Sequence, residues 1–444
     1  MKKRADSVQE QKMSRKMAKT FLICTSITLS LAALAGCEAK DELKPLWEVG
    51  ENRNKIVVIS DIHLGINDAY SEINDNVPVL IEFLQRLEVT TDVSELVIAG
   101  DFLDEWFLPV YFESYTDSTA FYQACVDNNQ DIIEEFNNVI ESGIKLVYVI
   151  GNHDMLLEAS VLEEAIPGII HVSDARGVGA YYTGAHDEIA IEHGHRYDPF
   201  SAPDTLTNAE LVGNDESILP PGYFYARYGA TWVLEGEPEN ERELPVVTDV
   251  PDESDTDQFG AFKYYQIIQL LSANLTPNEP LEEDVFDMHF AGFDDSYSFL
   301  DFYPVQEEDG TISAPTLYRN IQRTWVDRQT INNVNVPNSF IEAAPGAISS
   351  KYFSDQARIQ YIDNPEENVD IVVFGHTHNA IYDSFGDGEY YINTGTWIDK
   401  NGKTPEKMRT FTVIETGETN TVGLYKYDDD GLLEDYSSNT TITA

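Results

Sequence analysis

Cysteine is nearly missing from this chain, with three in 444 residues. Cys24 and Cys37 fall in or at the end of a leader-like N-terminal stretch, which leaves Cys125 without a disulfide partner. That excludes a small disulfide-stapled scaffold, so the fold must hold by core packing or bound metal, and Cys125 reads as a small buried hydrophobe. Basic residues are scarce as well: 28 Lys and Arg face 78 Asp and Glu, for a formal net charge of −50. Neutralisation of phosphates by Lys and Arg supplies most non-specific nucleic-acid binding. A chain this acidic therefore argues against a DNA or RNA polymer as partner, and its charge reads as solubility in a salty environment. No internal repeat is present, which sets solenoids aside. What remains is 42% hydrophobic and 11% aromatic residues, enough for one large domain or two to three ordinary ones.

Residues 1–36 carry seven basic and two acidic residues, then an apolar stretch from Phe21, then Leu34-Ala35-Gly36-Cys37. A membrane span wants about 18 or more uncharged apolar residues, so this shape reads as a secretory signal peptide. It resembles a bacterial lipoprotein signal with LAGC as the lipobox. That resemblance implies a lipid on Cys37, an exported, membrane-anchored lipoprotein, and a place in the cell envelope at the periplasmic face or the cell surface. Met13 and Met17 are alternative starts. Without residues 1–36 the charge changes from 28 minus 78 to 21 minus 76, or −55. Residues 37–54 read as a polar tether and 431–444, rich in Ser and Thr, as a flexible tail.

The chain is organised around Val147 to Asp154, VYVIGNHD. An apolar run suits a strand buried on both faces, and the glycine frees the backbone where the strand should end, leaving Asn152, His153 and Asp154 at its C-terminal tip. Four other apolar runs end alike: KIVVISDIHLG from Lys55, ELVIAGDFLDEW from Glu95, IAIEHGHRYD from Ile189 and DIVVFGHTHNA from Asp370. Helical spacing over Val79–Leu87 and Ile132–Ile140 alternates with the first strands, which predicts an α/β fold with a largely parallel sheet covered by helices. The scaffold is expected over 55–203 and 365–430. Residues 204–364 interrupt it as a large, partly helical insertion with its own small aromatic core, expected to form a cap over the site. EYYINTGTW, RTFTVIE and TVGLYKY read as closing strands of a second sheet.

Residues two apart on extended chain point the same way, so Asp61 with His63, and His376 with His378, each present a pair of ligands. Together with Asp101, Asn152 and His193 they supply imidazoles, carboxylates and an amide but no thiolate. That donor set suits two borderline or hard divalent ions sharing a bridging carboxylate. Six of the nine histidines (63, 153, 193, 195, 376 and 378) fall in these motifs, too many for chance packing.

The motifs DxH, GDxxD, GNHD, HGH and GHTH, in this order, resemble those of the calcineurin-like metallophosphoesterases. GDFLDEW, HGHRYD and YYINTGTW look most like the branch containing UDP-2,3-diacylglucosamine hydrolases, although an export signal argues against transferring that substrate. The resemblance implies a sandwich of two mixed β-sheets flanked by helices, with two divalent ions of Mn, Fe or Zn. It implies Asp61, His63 and His378 on one ion, Asn152, His193 and His376 on the other, Asp101 bridging, and His153 as proton donor beside the phosphoryl group. Two such ions lower the pKa of a bridging water and orient an in-line attack. Asp104 is a candidate for holding a ligand histidine in place. Asp154 is a candidate for orienting His153 or capping a helix, and His195 for either site or packing. Arg227 could contact phosphate or be a solvated helix residue. The expected activity is hydrolysis of a phosphomonoester, a phosphodiester or a pyrophosphate. The rivals are an extracytoplasmic nucleotidase or nuclease on the same scaffold and a non-catalytic envelope binding protein.

Overall fold

Apolar runs alternate with amphipathic helices through the first half of the chain, and the computed structural model turns that alternation into a parallel sheet. It describes residues 43–113, 115, 117–213, 217–239, 243–272, 280–402 and 404–437; the expected leader and Cys37 lie outside these. The chain from Pro45 onward forms one compact unit. In order come β1 (Lys55–Ile59), α1 (Val77–Glu88), β2 (Val93–Ala99), α2 (Ser118–Asn128), α3 (Gln130–Glu141), β3 (Lys145–Val149), α4 (Ala159–Ala165) and β4 (Ile170–Val172). Strands β1 to β4 pair in parallel. Helix α1 buries Leu80, Phe83, Leu84 and Leu87, one face at helical spacing, which is why it lies flat on the sheet.

Next come β5 (Ala180–Thr183) and β6 (Ile189–Glu192), and then α5 (Ala209–Val212), α6 (Pro221–Leu234) and α7 (Thr256–Ser272). Two short hairpins follow, β7 (Phe286–Met288) with β8 (Asp295–Tyr297) and β9 (Val305–Gln306) with β10 (Ile312–Ser313). Three more helices, α8 (Ile321–Ile331), α9 (Phe340–Gly346) and α10 (Ser350–Ala357), lead to β11 (Ile371–Phe374), β12 (Ile381–Gly386) and β13 (Glu389–Asn393). The chain closes with β14 (Thr410–Glu415), β15 (Thr421–Tyr427) and β16 (Leu433–Asp435).

Two mixed sheets result, one of seven strands in the order β16-β15-β14-β1-β2-β3-β4 and one of five in the order β12-β13-β11-β6-β5. The period of two along a strand decides what each residue touches. Ile56, Val58, Val97, Ala99, Val147 and Val149 of the larger sheet share one apolar layer with Ile189, Ile191, Ile371, Val373 and Ile392 of the smaller. Their neighbours Val57, Ile59, Leu96, Ile98, Leu146 and Tyr148 pack on the helix side. Both faces of the central strands are therefore buried, as continuous apolar runs require.

Three expectations need correction. RTFTVIE and TVGLYKY extend the first sheet instead of closing the second: β14 runs antiparallel to β1, with Ile56 opposite Ile414, and β15 pairs with β14. Phe411 and Ile414 of β14 face opposite apolar layers, so this strand needs an interior place, and the free edge of β1 supplies one. Within the tether, the apolar pair Leu46-Trp47 docks: Leu46 is buried, its N–H donates to Thr90 Oγ1 at 3.0 Å, and Trp47 Nε1 donates to Asp92. In the tail, β16 pairs with β15 and Tyr436 is buried, so regular structure runs past residue 431.

Candidate metal centre

Each of the five apolar strands foreseen in the sequence ends in a turn that carries polar side chains, and these turns face one another across the two sheets. The backbone there is unusual: Asp61, His63, Asp101, His376 and His378 all have φ between 51° and 69°, the left-handed region that side chains with a Cβ seldom enter. Such strain persists only where the surroundings enforce it, and it gathers at functional sites. The motif glycines make room for candidate ligands of other turns. A Cβ on Gly100 would stand 2.3 Å from His193 Nδ1, one on Gly151 2.1 Å from Asp101 Oδ1, and one on Gly375 2.6 Å from Asp61 Oδ2.

Asp61, His63, Asp101 and His378 bring one donor atom each to within 4.8 Å of one another. His63 Nε2 is 3.1 Å from His378 Nε2 and 3.7 Å from Asp101 Oδ2, and His378 Nε2 is 3.2 Å from Asp61 Oδ1. On the other side of Asp101, its Oδ2 lies 3.1 Å from His193 Nε2. Asn152 Oδ1 is 2.9 Å from both His193 Nε2 and His376 Nδ1. Asp101 thus stands between two groups of donors.

Most of these atoms are acceptors aimed at acceptors. His193 Nδ1 donates to the Ala99 carbonyl at 2.8 Å, and His63 Nδ1 pairs with Asp104 Oδ2 at 2.7 Å, so each ring turns its Nε2 inward. Hydrogen-bonding the outer nitrogen is how a protein fixes the tautomer of a metal-binding imidazole. Two inward lone pairs 3.1 Å apart, with buried carboxylates beside them, call for positive charge between them. Burial opposes charging His63, yet Asp104 holds its pKa well above the usual imidazole value; burial likewise opposes His193, yet Asp101 raises it to about 9. Asp101 stays well below the carboxylate range despite burial, through His193 and His153. Oxygen and imidazole donors without thiolate fit hard or borderline divalent ions.

The remaining candidates separate by what they touch. Asp104 joins two histidines, its Oδ2 on His63 and its Oδ1 3.0 Å from His153 Nδ1. The backbone N–H groups of Trp106 and Phe107 also donate to Oδ1, at 2.6 and 2.8 Å, so this carboxylate orients imidazoles. His153 lines a cleft of about 650 Å³ with Asp101, Asn152 and His376. Burial works against its charged form, but Asp104 and Asp101 raise its pKa. Asp154 accepts from the N–H groups of Gly151, Phe102 and Leu103 and so ties two motif turns together; burial and the nearby Asp101 raise it to about 6. Its carboxylate therefore neither orients His153 nor caps a helix. His195 is buried, with Nε2 2.8 Å from the Gly177 carbonyl, and lies outside the cleft lining. Arg227 is buried rather than solvated, its guanidinium donating to the carbonyls of Leu108 and Pro109, and it too is outside the lining.

Sequence reasoning passed over three residues. Asp198 Oδ2 lies 3.3 Å from His376 Nε2 and lines the cleft; its place three residues after His195, in HGHRYD, was the available signal. Glu72 approaches His63 Nδ1 at 3.5 Å from a polar stretch without periodicity, which offered none. Trp106, last in GDFLDEW, stacks on His153 with ring centroids 4.6 Å apart and planes 26° from parallel.

No curated protein matches this chain in sequence. Vacuolar protein sorting 29 from Cryptosporidium parvum is 11% identical with a TM-score of 0.30, over 86% of this chain and 95% of that one. A dimetal phosphatase from Danio rerio is 10% identical with a TM-score of 0.32, over 84% and 96%. Neither likeness is close enough to bear on substrate. Residues 54–236 match the family model described as calcineurin-like phosphoesterase, a span that holds Asp61, His63, Asp101, Asn152, His153 and His193 and ends before His376 and His378. Over that span the chain is similar to the calcineurin-like phosphoesterases, which supports a phosphoester hydrolase.

Proposed function

We propose that this protein is a metal-dependent hydrolase of small phosphate esters, acting at the cell envelope as a lipoprotein anchored through Cys37. The observation that carries the reading is the convergence of Asp61, His63, Asp101, Asn152, His193, His376 and His378 on one edge, five of them in left-handed backbone. Asp61, His63 and His378 would hold one divalent ion, Asn152, His193 and His376 a second, with Asp101 common to both. Such ions, when bound, supply positive charge for the phosphoryl oxygens and make an attacking water more acidic. The protein's own part is to hold the ligands and to manage the proton on His153. As the water oxygen bonds to phosphorus and releases a proton to solvent, the ester P–O bond breaks and Nε2–H of His153 gives its proton to the departing alcohol oxygen, to be restored from solvent. No described residue hydrogen-bonds that nitrogen, while Asp104 fixes the other.

The cleft favours small substrates of low charge. Lys400 is the one Lys or Arg among its described lining residues, which suits a single phosphate better than a polyphosphate or a nucleic-acid strand. Tyr225, Ala226, Leu271, Ile348 and Phe353 of the 204–364 segment line the same cleft, which supports its role as a cap that limits substrate size. Among the described residues no helix is long and apolar enough to cross a membrane.

The test is metal content together with hydrolysis of a panel containing aryl and alkyl phosphomonoesters, a phosphodiester, a pyrophosphate and mononucleotides. Two bound ions with turnover of small monoesters is the expected result. Turnover of nucleotides alone would make it a nucleotidase, and metal binding without any turnover would make it a binding protein. For the anchor, wild-type protein should fractionate with membranes and Cys37→Ser should not; soluble wild-type protein would refute the anchoring.

A further inference from the structure

One wall of the cleft is built by the insertion reaching back to the catalytic turn. Trp106 lies flat on the His153 ring, and Tyr223 of α6 meets the indole edge-on, with centroids 6.1 Å apart. The first turn of α6 can come this close because residue 222 is glycine, where a Cβ would sit 2.5 Å from the Phe200 carbonyl and 3.1 Å from Trp106 Cζ3. Four residues further along the same face, Arg227 donates through Nε to the Leu108 carbonyl and through Nη2 to that of Pro109, both at 2.8 Å. Four more residues on, Thr231 Oγ1 accepts from Val110 N–H at 2.9 Å. Positions 223, 227 and 231 thus form one helical stripe that grips residues 106–110.

The grip ends at the proton carrier. Trp106 N–H donates to the same Asp104 oxygen that His153 Nδ1 contacts, so ring plane and ring partner are set by one residue. The indole Nε1–H has no hydrogen-bond partner among the described residues, although it is buried. What the structure shows this side chain using is its flat face, laid on the His153 ring.

We propose that Trp106 is a positioning residue for His153, and that α6 of the insertion sets it through Arg227 although Arg227 does not reach the cleft. The proposal rests on the reading of His153 as proton donor. Proton donation demands a fixed angle between Nε2–H and the departing oxygen, and a displacement of about 1 Å introduced far from the chemistry can cost roughly 100-fold in rate. An alkoxide leaves badly without a proton and a nitrophenolate leaves well, so a loosened His153 should show mainly on the alkyl ester.

The test uses the full-length protein loaded with metal and the variants Trp106→Leu, Trp106→Phe and Arg227→Met. Rates on an alkyl phosphate and on nitrophenyl phosphate are measured beside metal content and thermal midpoint. Histidine-labelled protein is examined by NMR for the tautomer and ring exchange of His153. Trp106→Leu should slow the alkyl ester about 10- to 100-fold and the nitrophenyl ester less than about threefold, with both metals kept. Trp106→Phe should retain most of the alkyl rate, and Arg227→Met should show the selectivity of Trp106→Leu in weaker form. In Trp106→Leu the His153 signals should broaden or split between tautomers. Equal slowing of both esters, loss of metal, or an unchanged His153 spectrum would each overturn the proposal. If the wild type hydrolyses neither ester, the reading of the site fails, and the NMR comparison alone then decides whether Trp106 holds His153.

Discussion

The scaffold and the insertion fill their interiors with different residues, and the difference follows from what each must hold still. Between the two sheets the shared layer is almost wholly Val, Ile and Ala, small branched side chains that suit strands buried on both faces. The insertion packs Phe224, Phe286, Phe299, Phe302 and Tyr318 against short hairpins and helices, and hydroxyls such as those of Tyr225 and Tyr264 both donate to the Phe302 carbonyl. A region with little sheet must satisfy its backbone through side chains, and tyrosine both fills volume and reaches a carbonyl. The two regions divide the site accordingly. The candidate ligands stand on strand ends of the scaffold, whereas His153, the proposed proton carrier, stacks on Trp106 in a loop that the insertion grips.

If that division is real, variants should separate metal loss from loss of proton delivery. The largest effect is expected from Asp101→Ala, which removes the carboxylate between both donor groups: metal should be lost and both esters left at background, measured by elemental analysis and rate. Metal retention in this variant would break the assignment. His153→Ala comes next, keeping its metal and losing about 10²- to 10⁴-fold on an alkyl ester but far less on a nitrophenyl ester. Asp104→Asn belongs to both sides, since it loosens His63 and His153 together. Metal affinity should fall about 10- to 100-fold in a chelator competition, with a leaving-group effect superimposed.

The smallest expected effect is on stability alone. Glu105 is buried beside Tyr122, whose hydroxyl donates to Oε2 at 2.7 Å, and burial raises its pKa from 4.5 to about 7. The unfolded chain ionises this group near pH 4.5 while the folded one keeps it neutral, so the stability it contributes is full below pH 4.5 and is lost as pH rises through 7. The loss amounts to at most about 3 kcal/mol. Glu105→Gln should therefore match the wild type in thermal midpoint at pH 5 and exceed it at pH 8. A gap of the same size at both values would remove ionisation as its cause.

Much of the site was legible because it was written in short range. Each candidate ligand follows an apolar run within a few residues, often with a glycine beside it, so the motif carries both the strand and its end. Orientation was not legible. Asp154, His195 and Arg227 are of the right type and in the right stretches, but their polar atoms turn to backbone partners, which only the packed chain decides. Trp106 was hidden for a related reason: a tryptophan reads as core, and its role depends on a helix that begins 115 residues later. The placing of β14 and β15 was missed because a strand's pattern states that it is buried, not in which sheet.

The glycines of the motifs also bear on the order of events as the chain folds. Gly100, on the larger sheet, leaves space for a histidine of the smaller one, and Gly375, on the smaller, leaves space for an aspartate of the larger. Neither half carries the whole proposed ligand set: Asp61, His63, Asp101 and Asn152 follow strands of the larger sheet, and His193, His376 and His378 follow strands of the smaller. If these residues hold metal as proposed, cation capture is expected to follow stacking of the sheets and not to seed collapse. When chemically denatured protein is diluted into buffer, recovery of tryptophan fluorescence should proceed at the same speed with or without chelator, and release of a metallochromic dye should lag behind it.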